Sequence, residues 1–210
     1  MGGLFSMDGK VAVFLGKIAD MVILNFLLVI CSIPVITAGA SATAFCHVML
    51  KLVRDEESYV VRSFFQIFRE SFKQSTIVYL IMLAVAGVLY CDFFLSMQMA
   101  GGTGSPLFIV FCVLAVFFYM GSCYIFPILG FFENSTKKVF KNAFLMAIAH
   151  FPYTLLIAVV ALIPWFILFF GMLIPATFFD LFFGFSISGW INAKIFIKIF
   201  IRYQLLISTH

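Results

Sequence analysis

Long apolar runs separated by short polar segments dominate the sequence, and most runs have the length of a membrane-spanning helix. About 20 helical residues cover the roughly 30 Å of hydrocarbon in a bilayer. The first run begins near Val11 or Ile18 and ends at Cys31–Pro34, and the others are Ala38–Leu50, Thr76–Met97, Leu107–Leu129, Ala143–Phe170 and Thr177–Ile191. The pattern predicts an all-α, polytopic transmembrane helical bundle, with residues 1–210 forming one integral membrane domain.

The second run follows a chain reversal and is short for a span. Pro34 ends the first helix because it has no backbone donor and disfavours helix at the residue before it. Thr37 is placed to cap the next helix through its hydroxyl. Residues 38–50 would be only about 20 Å long as a helix, and their small side chains allow close packing. They fit either a thin, tightly packed span or a re-entrant half-helix.

Two polar insertions, Lys51–Lys73 and Phe131–Asn142, interrupt the apolar pattern. The first contains an aromatic helical face, which is formed by Phe64, Phe65, Phe68 and Phe72 and has basic residues around it. A basic helix with an aromatic face is typical of an interfacial amphipathic helix, which lies in the membrane plane with its apolar side down.

Lysine and arginine are confined to four regions, residues 10–17, 51–73, 137–141 and 194–202. The connections near residues 34–37, 98–106 and 171–176 contain none. Positive residues favour the cytoplasmic side, and all four regions share that side only if residues 18–50 cross twice. This predicts about six crossings with both termini cytoplasmic. The alternative has five crossings and a re-entrant segment at residues 38–50, and it leaves Lys10 on the outer side.

The composition excludes a water-soluble fold and indicates no catalysis. Hydrophobic residues make up 64% of the chain and charged residues 10%, whereas soluble domains carry roughly a quarter charged residues. The sequence has no nucleophile elbow, phosphate-binding loop or metalloprotease motif. Cys46, His47 and His150 are too few and too scattered for a metal site. We therefore predict no enzyme activity, no metal and no cofactor.

The cysteines and the basic tail have simple interpretations. None of the five cysteines forms a CxxC pair, and we predict free thiols. Lys194, Lys198 and Arg202 form a cationic stripe beside Ile and Phe residues, which favours contact with anionic lipid. The same neighbours exclude nucleic acid as a partner.

Polar side chains in and beside the predicted spans are candidates for a functional site, because they are costly in hydrocarbon. The candidates are Asn25, Thr37, Thr43, His47 and His150. Their convergence on a wet cavity would favour transport, whereas separate bonds in a dry core would indicate helix packing. Asp92 and Asp180 are expected near the outer surface, and Lys17 is expected to pair with Asp20.

The two polar insertions also offer a cytoplasmic docking surface for a soluble or transporter partner. The candidate docking residues are Arg54, Glu56, Glu133, Asn134 and Lys141. For Glu133 and Asn134, helix capping is the structural alternative.

Several separated blocks of the sequence resemble a known family. The first is Asn25 followed by Cys31-Ser-Ile-Pro34-Val-Ile-Thr37-Ala-Gly39 and then Lys51-Leu-Val-Arg54-Asp-Glu-Glu57; the others are Tyr124-Ile-Phe-Pro127, Phe132-Glu-Asn134, Lys141-Asn-Ala143, His150-Phe-Pro152 and Trp190-Ile-Asn192. Over about residues 14 to 203, the chain resembles the bacterial YesL family of small integral membrane proteins.

The resemblance implies a multi-span protein of the bacterial plasma membrane, of a family often encoded beside carbohydrate uptake and polysaccharide degradation systems. It brings no catalytic or binding residues. The first hypothesis is therefore an accessory or regulatory component of carbohydrate uptake, with the lipid bilayer and sugar transporter subunits as partners. The second is a small transporter or channel, whose site lies at the broken helix near Pro34–Thr37, where backbone groups can face a substrate.

Overall fold

Helices make up almost all of the described protein. The computed structural model describes residues 10–56, 59–98, 106–132, 135–170 and 180–208, and these ranges contain no strand. The helices are α1 (Lys10–Ser32), α2 (Ala38–Val53), α3 (Val60–Gln98), α4 (Pro106–Phe131), α5 (Thr136–Ala149), α6 (Phe151–Phe170) and α7 (Phe185–Ser208). A 3-10 turn at Val35–Thr37 leads into α2, and a π-helical turn at Asp180–Gly184 leads into α7.

Five of the described helices are long and apolar enough to cross a membrane. By length and composition the candidate spans are Ala12–Ser32, Val35–Val53, Val60–Gln98, Pro106–Phe131 and Phe151–Phe169. This confirms the predicted helical membrane fold. The predicted sixth span, Thr177–Ile191, begins outside the described residues, and its described part is the π-helical turn and the start of α7.

Helix α2 lies at the centre of the bundle, where it contacts α1, α3, α4 and α7. In its apolar window 56% of the residues are buried, against 6–22% in the other four candidate spans. Small side chains permit this position. A Cβ atom added to Gly39 would lie 2.5 Å from Tyr79 Cβ and 2.7 Å from the Ser75 carbonyl oxygen on α3. The two backbones therefore approach as closely as glycine allows.

Helix α3 differs from the predicted arrangement of its segment. The amphipathic stretch within Lys51–Lys73 was expected to lie in the membrane interface, but Val60–Gln98 is one continuous helix of 39 residues, about 58 Å long. Its aromatic face turns toward the protein rather than toward lipid. Phe64 is fully buried in the core, Phe68 packs against that core, and only Phe65 is exposed among the four phenylalanines.

The predicted fifth span is also divided differently. Residues 143–149 belong to α5, which ends before His150, and α6 begins at Phe151. Pro152 explains the break because it has no backbone N–H to bond the Ile148 carbonyl, and its ring would clash with that carbonyl in a continuous helix. Helix α5 is amphipathic, with Val139, Ala143 and Met146 buried. At 14 residues, about 21 Å, it is too short to cross the bilayer.

The described cationic segments gather at one end of the bundle, which we name the basic end. It is formed by the start of α1, the connection between α2 and α3, and the ends of α4 and α7. Lys17 forms an ion pair with Asp55, rather than the predicted pair with Asp20. The Arg54 guanidinium lies 4.9 Å from the centre of the Phe131 ring. Phe131 in turn packs on Phe200 of α7, with ring centres 4.9 Å apart.

The position of the basic end bears on the number of crossings. Helix α1 starts at this end and α7 returns to it, so the chain makes an even number of passes between them. Five of the described helices are candidate spans, and α5 packs along α4. Gly39 at the start of α2 lies beside Tyr79, near the middle of the 39-residue α3. Helix α2 therefore runs beside only part of α3, and the number of crossings stays a prediction.

Candidate functional site

The predicted polar residues lie at separate places in the bundle. Asn25 is fully buried on α1, and its side-chain oxygen accepts a hydrogen bond of 3.0 Å from the backbone N–H of Ser186 at the start of α7. The Ser186 hydroxyl donates to the Met21 carbonyl at 2.6 Å. Asn25 therefore holds α1 against the first turn of α7.

Thr37 closes the reversal between α1 and α2. It occupies the predicted N-cap position, but its hydroxyl makes no capping bond to α2. Instead the hydroxyl lies 2.6 Å from the Cys31 carbonyl oxygen and 2.8 Å from that of Pro34. The last carbonyls of a helix have no intrahelical donor, so Thr37 satisfies the end of α1 rather than the beginning of α2.

Thr43 and His47 lie one turn apart on α2 and contact different helices. The buried Thr43 hydroxyl lies 2.9 Å from the Ser75 hydroxyl on α3. His47 Nδ1 forms a hydrogen bond with the Gly130 carbonyl near the end of α4. Each side chain therefore joins α2 to a different neighbour.

His150 lies in the break between α5 and α6, away from the other four. Its carbonyl accepts hydrogen bonds from the backbone N–H and the hydroxyl of Thr154, at 2.9 and 3.1 Å. The five predicted residues therefore do not converge on one cavity. Within the described ranges, no group of three or more His, Cys, Asp or Glu side chains is placed to hold a metal.

Three buried polar positions were missed or misplaced by the sequence interpretation. The Tyr124 hydroxyl lies 2.9 Å from the Thr154 hydroxyl, and this hydrogen bond joins α4 to α6. Asp180 was expected near the outer surface, but its side chain is completely buried, and its carboxylate has no hydrogen-bond partner among the described residues. Asn192 is 8% exposed, and its side-chain oxygen also lacks a described partner. The sequence signal for Asn192 is one amide within an otherwise apolar face of α7.

The predicted docking residues are only partly within the described chain. Arg54 lies 3.6 Å from Glu56 and also covers Phe131, so it helps to order the basic end. Lys141 is exposed on α5. Glu133 and Asn134 lie outside the described residues.

Two neighbouring cavities lie among α1, α2, α3, α4, α6 and α7. The inner cavity, about 240 Å³, lies between α2, α4, α6 and α7, and Asn192 lines it. The outer cavity, about 580 Å³, opens beside the reversal at Ile33 and Val35. Six of the described residues line both cavities: Ala42, Phe45, Cys46, Phe126, Trp165 and Phe185. None of the described lining residues carries a charged side chain.

The fold and these cavities define a membrane-embedded helical protein with an apolar interior. Residues 21–93, about a third of the chain, match the family described as "protein of unknown function, DUF624". No curated protein and no solved structure matches the chain. The family match covers the second half of α1, the reversal, α2 and most of α3.

Proposed function

We propose that this chain is a non-enzymatic integral protein of the bacterial plasma membrane, and an accessory or regulatory component of carbohydrate uptake. The carbohydrate link rests on the resemblance to the YesL family. The match to the DUF624 family over residues 21–93 agrees with that resemblance without adding a function. The proposal assigns the chain no catalytic residue, metal or cofactor.

One observation favours this function over sugar transport: the intramembrane polar groups form separate bonds between helices. Asn25 bonds to α7, Thr43 to α3 and His47 to α4. A sugar carries many hydroxyl groups, and burying them without partners is costly. The inner and outer cavities are lined mainly by apolar side chains. They therefore suit a sugar poorly.

The basic end is the proposed docking surface, and its positive charge favours the cytoplasmic side of the membrane. Helix α3 exposes Arg62 and Arg69 within its first ten residues, and α5 exposes Lys141. Six passes then leave both termini on the cytoplasmic side. A transporter subunit with acidic cytoplasmic loops would complement this surface.

Capture from native membranes tests the proposed partner. Photo-crosslinking residues would replace Arg69 and Lys141, which are exposed at the basic end, and Val159, which is exposed on α6, would serve as the control. We expect a stoichiometric sugar transporter subunit to be captured from the first two positions and not from the third. Equal capture from all three positions, or no stoichiometric partner, would contradict the proposal.

The alternative is a small transporter or channel with its site at Pro34–Thr37. The outer cavity favours it, because this cavity opens beside Ser32, Val35 and Ala38. Uptake of labelled oligosaccharides by proteoliposomes that contain only this protein would support it. Under the accessory function, such proteoliposomes should take up no more sugar than empty vesicles.

A further inference from the structure

Asp180 carries a carboxyl group that is buried without a partner. Its side chain is fully buried at the first residue of the π-helical turn that leads into α7. Neither carboxyl oxygen has a hydrogen-bond partner among the described residues. Single turns of π-helix are rare and occur frequently at functional sites. Ionisable groups inside membrane proteins are themselves candidates for function.

The turn that carries Asp180 is docked on the second half of α1. Phe182 packs edge-on against Phe26 of α1, with ring centres 4.9 Å apart. The bonds of Ser186 to α1 fix the chain just after the turn. Within the turn, the Asp180 carboxyl group lies over Gly184 in the space that a Cβ atom would occupy. Glycine at this position therefore allows the carboxyl group to fold back onto its own turn.

The surrounding sequence supplies no counter-charge for this group. The turn packs against α1, α6 and α7. Apart from Asp180 itself, residues 21–32 and 151–193 contain no Lys, Arg, His, Asp or Glu. The other titratable side chains in these two stretches are Cys31, at the end of α1, and Tyr153, at the start of α6. Neither can neutralise a carboxylate.

The remaining charged groups of α1 and α7 lie toward the basic end: Lys10, Lys17, Asp20, Lys194, Lys198 and Arg202. On α7 the first cation after Asp180 is Lys194, about 21 Å further along the helix. A carboxylate that is buried without a counter-charge or a hydrogen-bond donor is strongly unfavourable, and such a group takes up a proton instead.

We propose that Asp180 binds a proton and is a neutral carboxylic acid while the π-helical turn is docked on α1. When the carboxyl group gives up this proton to water, it becomes an anion that the docked turn cannot accommodate. The turn then separates from α1 and exposes the carboxylate. The start of α7 is thus a pH-sensitive joint, which is docked at neutral pH and released as the pH rises. It is independent of the docking function proposed for the basic end.

Infrared spectroscopy tests for the proton. The purified full chain in lipid nanodiscs is isotope-labelled at the aspartate side-chain carboxyl carbon, which separates its bands from those of glutamate and lipid esters. At neutral pH we expect a protonated-carboxyl band that is lost in Asp180→Asn. The matched Asp92→Asn, at a partly exposed carboxylate on α3, should retain the band. Absence of the band from the parent protein, or its survival in Asp180→Asn, would overturn the proposal.

A distance between α1 and α7 tests the release. Spin labels replace Ile23 and Ile187, which are both exposed, in a Cys91→Ser background. Raising the pH from about 7 to about 10 should lengthen and broaden the label distance in the parent protein and in Asp92→Asn. Asp180→Asn has no proton to lose at this position and should keep the short distance throughout.

Two results of the distance measurement would contradict the joint. These are an unchanged distance in the parent protein over the whole pH range, and an equal lengthening in Asp180→Asn. If Asp180→Asn does not fold, the parent protein decides the question, because its protonated-carboxyl band and its short label distance must be lost over the same pH range.

Discussion

At the scale of single residues, close approach of helices depends on glycine at particular positions and not at others. Gly39 on α2 faces Tyr79 and the Ser75 carbonyl of α3, with no room for a methyl group. Gly87 on α3 has nothing within 4 Å of an added Cβ. The two glycines therefore make a matched pair, because Gly39 lies in a helix–helix contact whereas Gly87 lies on an open helix surface.

We expect Gly39→Ala to destabilise the protein by roughly 1–3 kcal/mol, because the added methyl must displace backbone atoms. Gly87→Ala should stabilise it by up to about 1 kcal/mol, since alanine is the better helix former. The free energy of unfolding in mixed micelles, followed by helix content, measures both. A Gly39→Ala variant as stable as Gly87→Ala would contradict the close packing of α2 on α3.

Thr37 gives the second residue-scale prediction. Its hydroxyl reaches the Cys31 and Pro34 carbonyls. Thr37→Val keeps the shape and removes the donor, and should cost roughly 0.5–1.5 kcal/mol of unfolding free energy. Thr37→Ser should retain most of the stability. If Val and Ser variants unfold alike, the hydroxyl does not hold the reversal.

These residues show what the sequence can and cannot predict about the candidate site. The cost of polar groups in hydrocarbon correctly marked Asn25, Thr43 and His47 as positions that need partners. The identity of each partner depends on which helices meet, and Ser186 lies 161 residues from Asn25. No local pattern carries that information. Thr37 was predicted correctly as a boundary, but the direction of its hydrogen bond was wrong.

At the scale of elements, α3 shows how a helical face can be recognised while its surroundings are misjudged. The period of Phe64, Phe68 and Phe72 identifies an aromatic face. Lipid headgroups and a protein core both accept such a face, so the periodicity does not distinguish them. In the structure the core accepts it, and Phe64 is fully buried. Ala143–Phe170 was predicted as one span, although Pro152 marks the break before α6 locally, because it has no backbone N–H to continue the helix.

A distance measured along α3 distinguishes a continuous helix from one that bends into the membrane plane. Spin labels at the exposed Gln66 and Gln98 are 32 positions apart on one helix. A continuous helix separates them by about 48 Å. A bend to the membrane plane near Gln74 would shorten this to about 38 Å. Pulsed electron paramagnetic resonance in nanodiscs measures the distance, and we expect the longer value.

At the scale of the whole molecule, charge and packing lead independently to the same arrangement. The distribution of Lys and Arg predicted that four cationic regions share one side of the membrane. The contacts of Lys17 with Asp55, Arg54 with Phe131 and Phe200 with Phe131 bring the described parts of three regions to one end. The number of crossings stays a prediction, because Gly39 at the start of α2 lies beside Tyr79, near the middle of α3.

Site-directed labelling tests the orientation of the whole bundle. Lys73 and Lys141 are exposed and belong to two of the four cationic regions, and Gln98 is exposed at the last residue of α3. Single cysteines at these positions are made in a Cys91→Ser background, because Cys91 is the exposed native thiol among the described residues. In intact cells, a membrane-impermeant maleimide should label Gln98→Cys and neither of the other two variants.

Permeabilised cells supply the control, since all three cysteines should then react. Labelling of Lys73→Cys and Lys141→Cys in intact cells, with Gln98→Cys protected, would reverse the orientation but keep the bundle. If Lys73→Cys is labelled and Lys141→Cys is not, the two residues lie on opposite sides of the membrane. An odd number of passes would then separate them. That result would contradict the gathering of cationic segments at one end, because α4 alone returns the chain from Gln98 to that end.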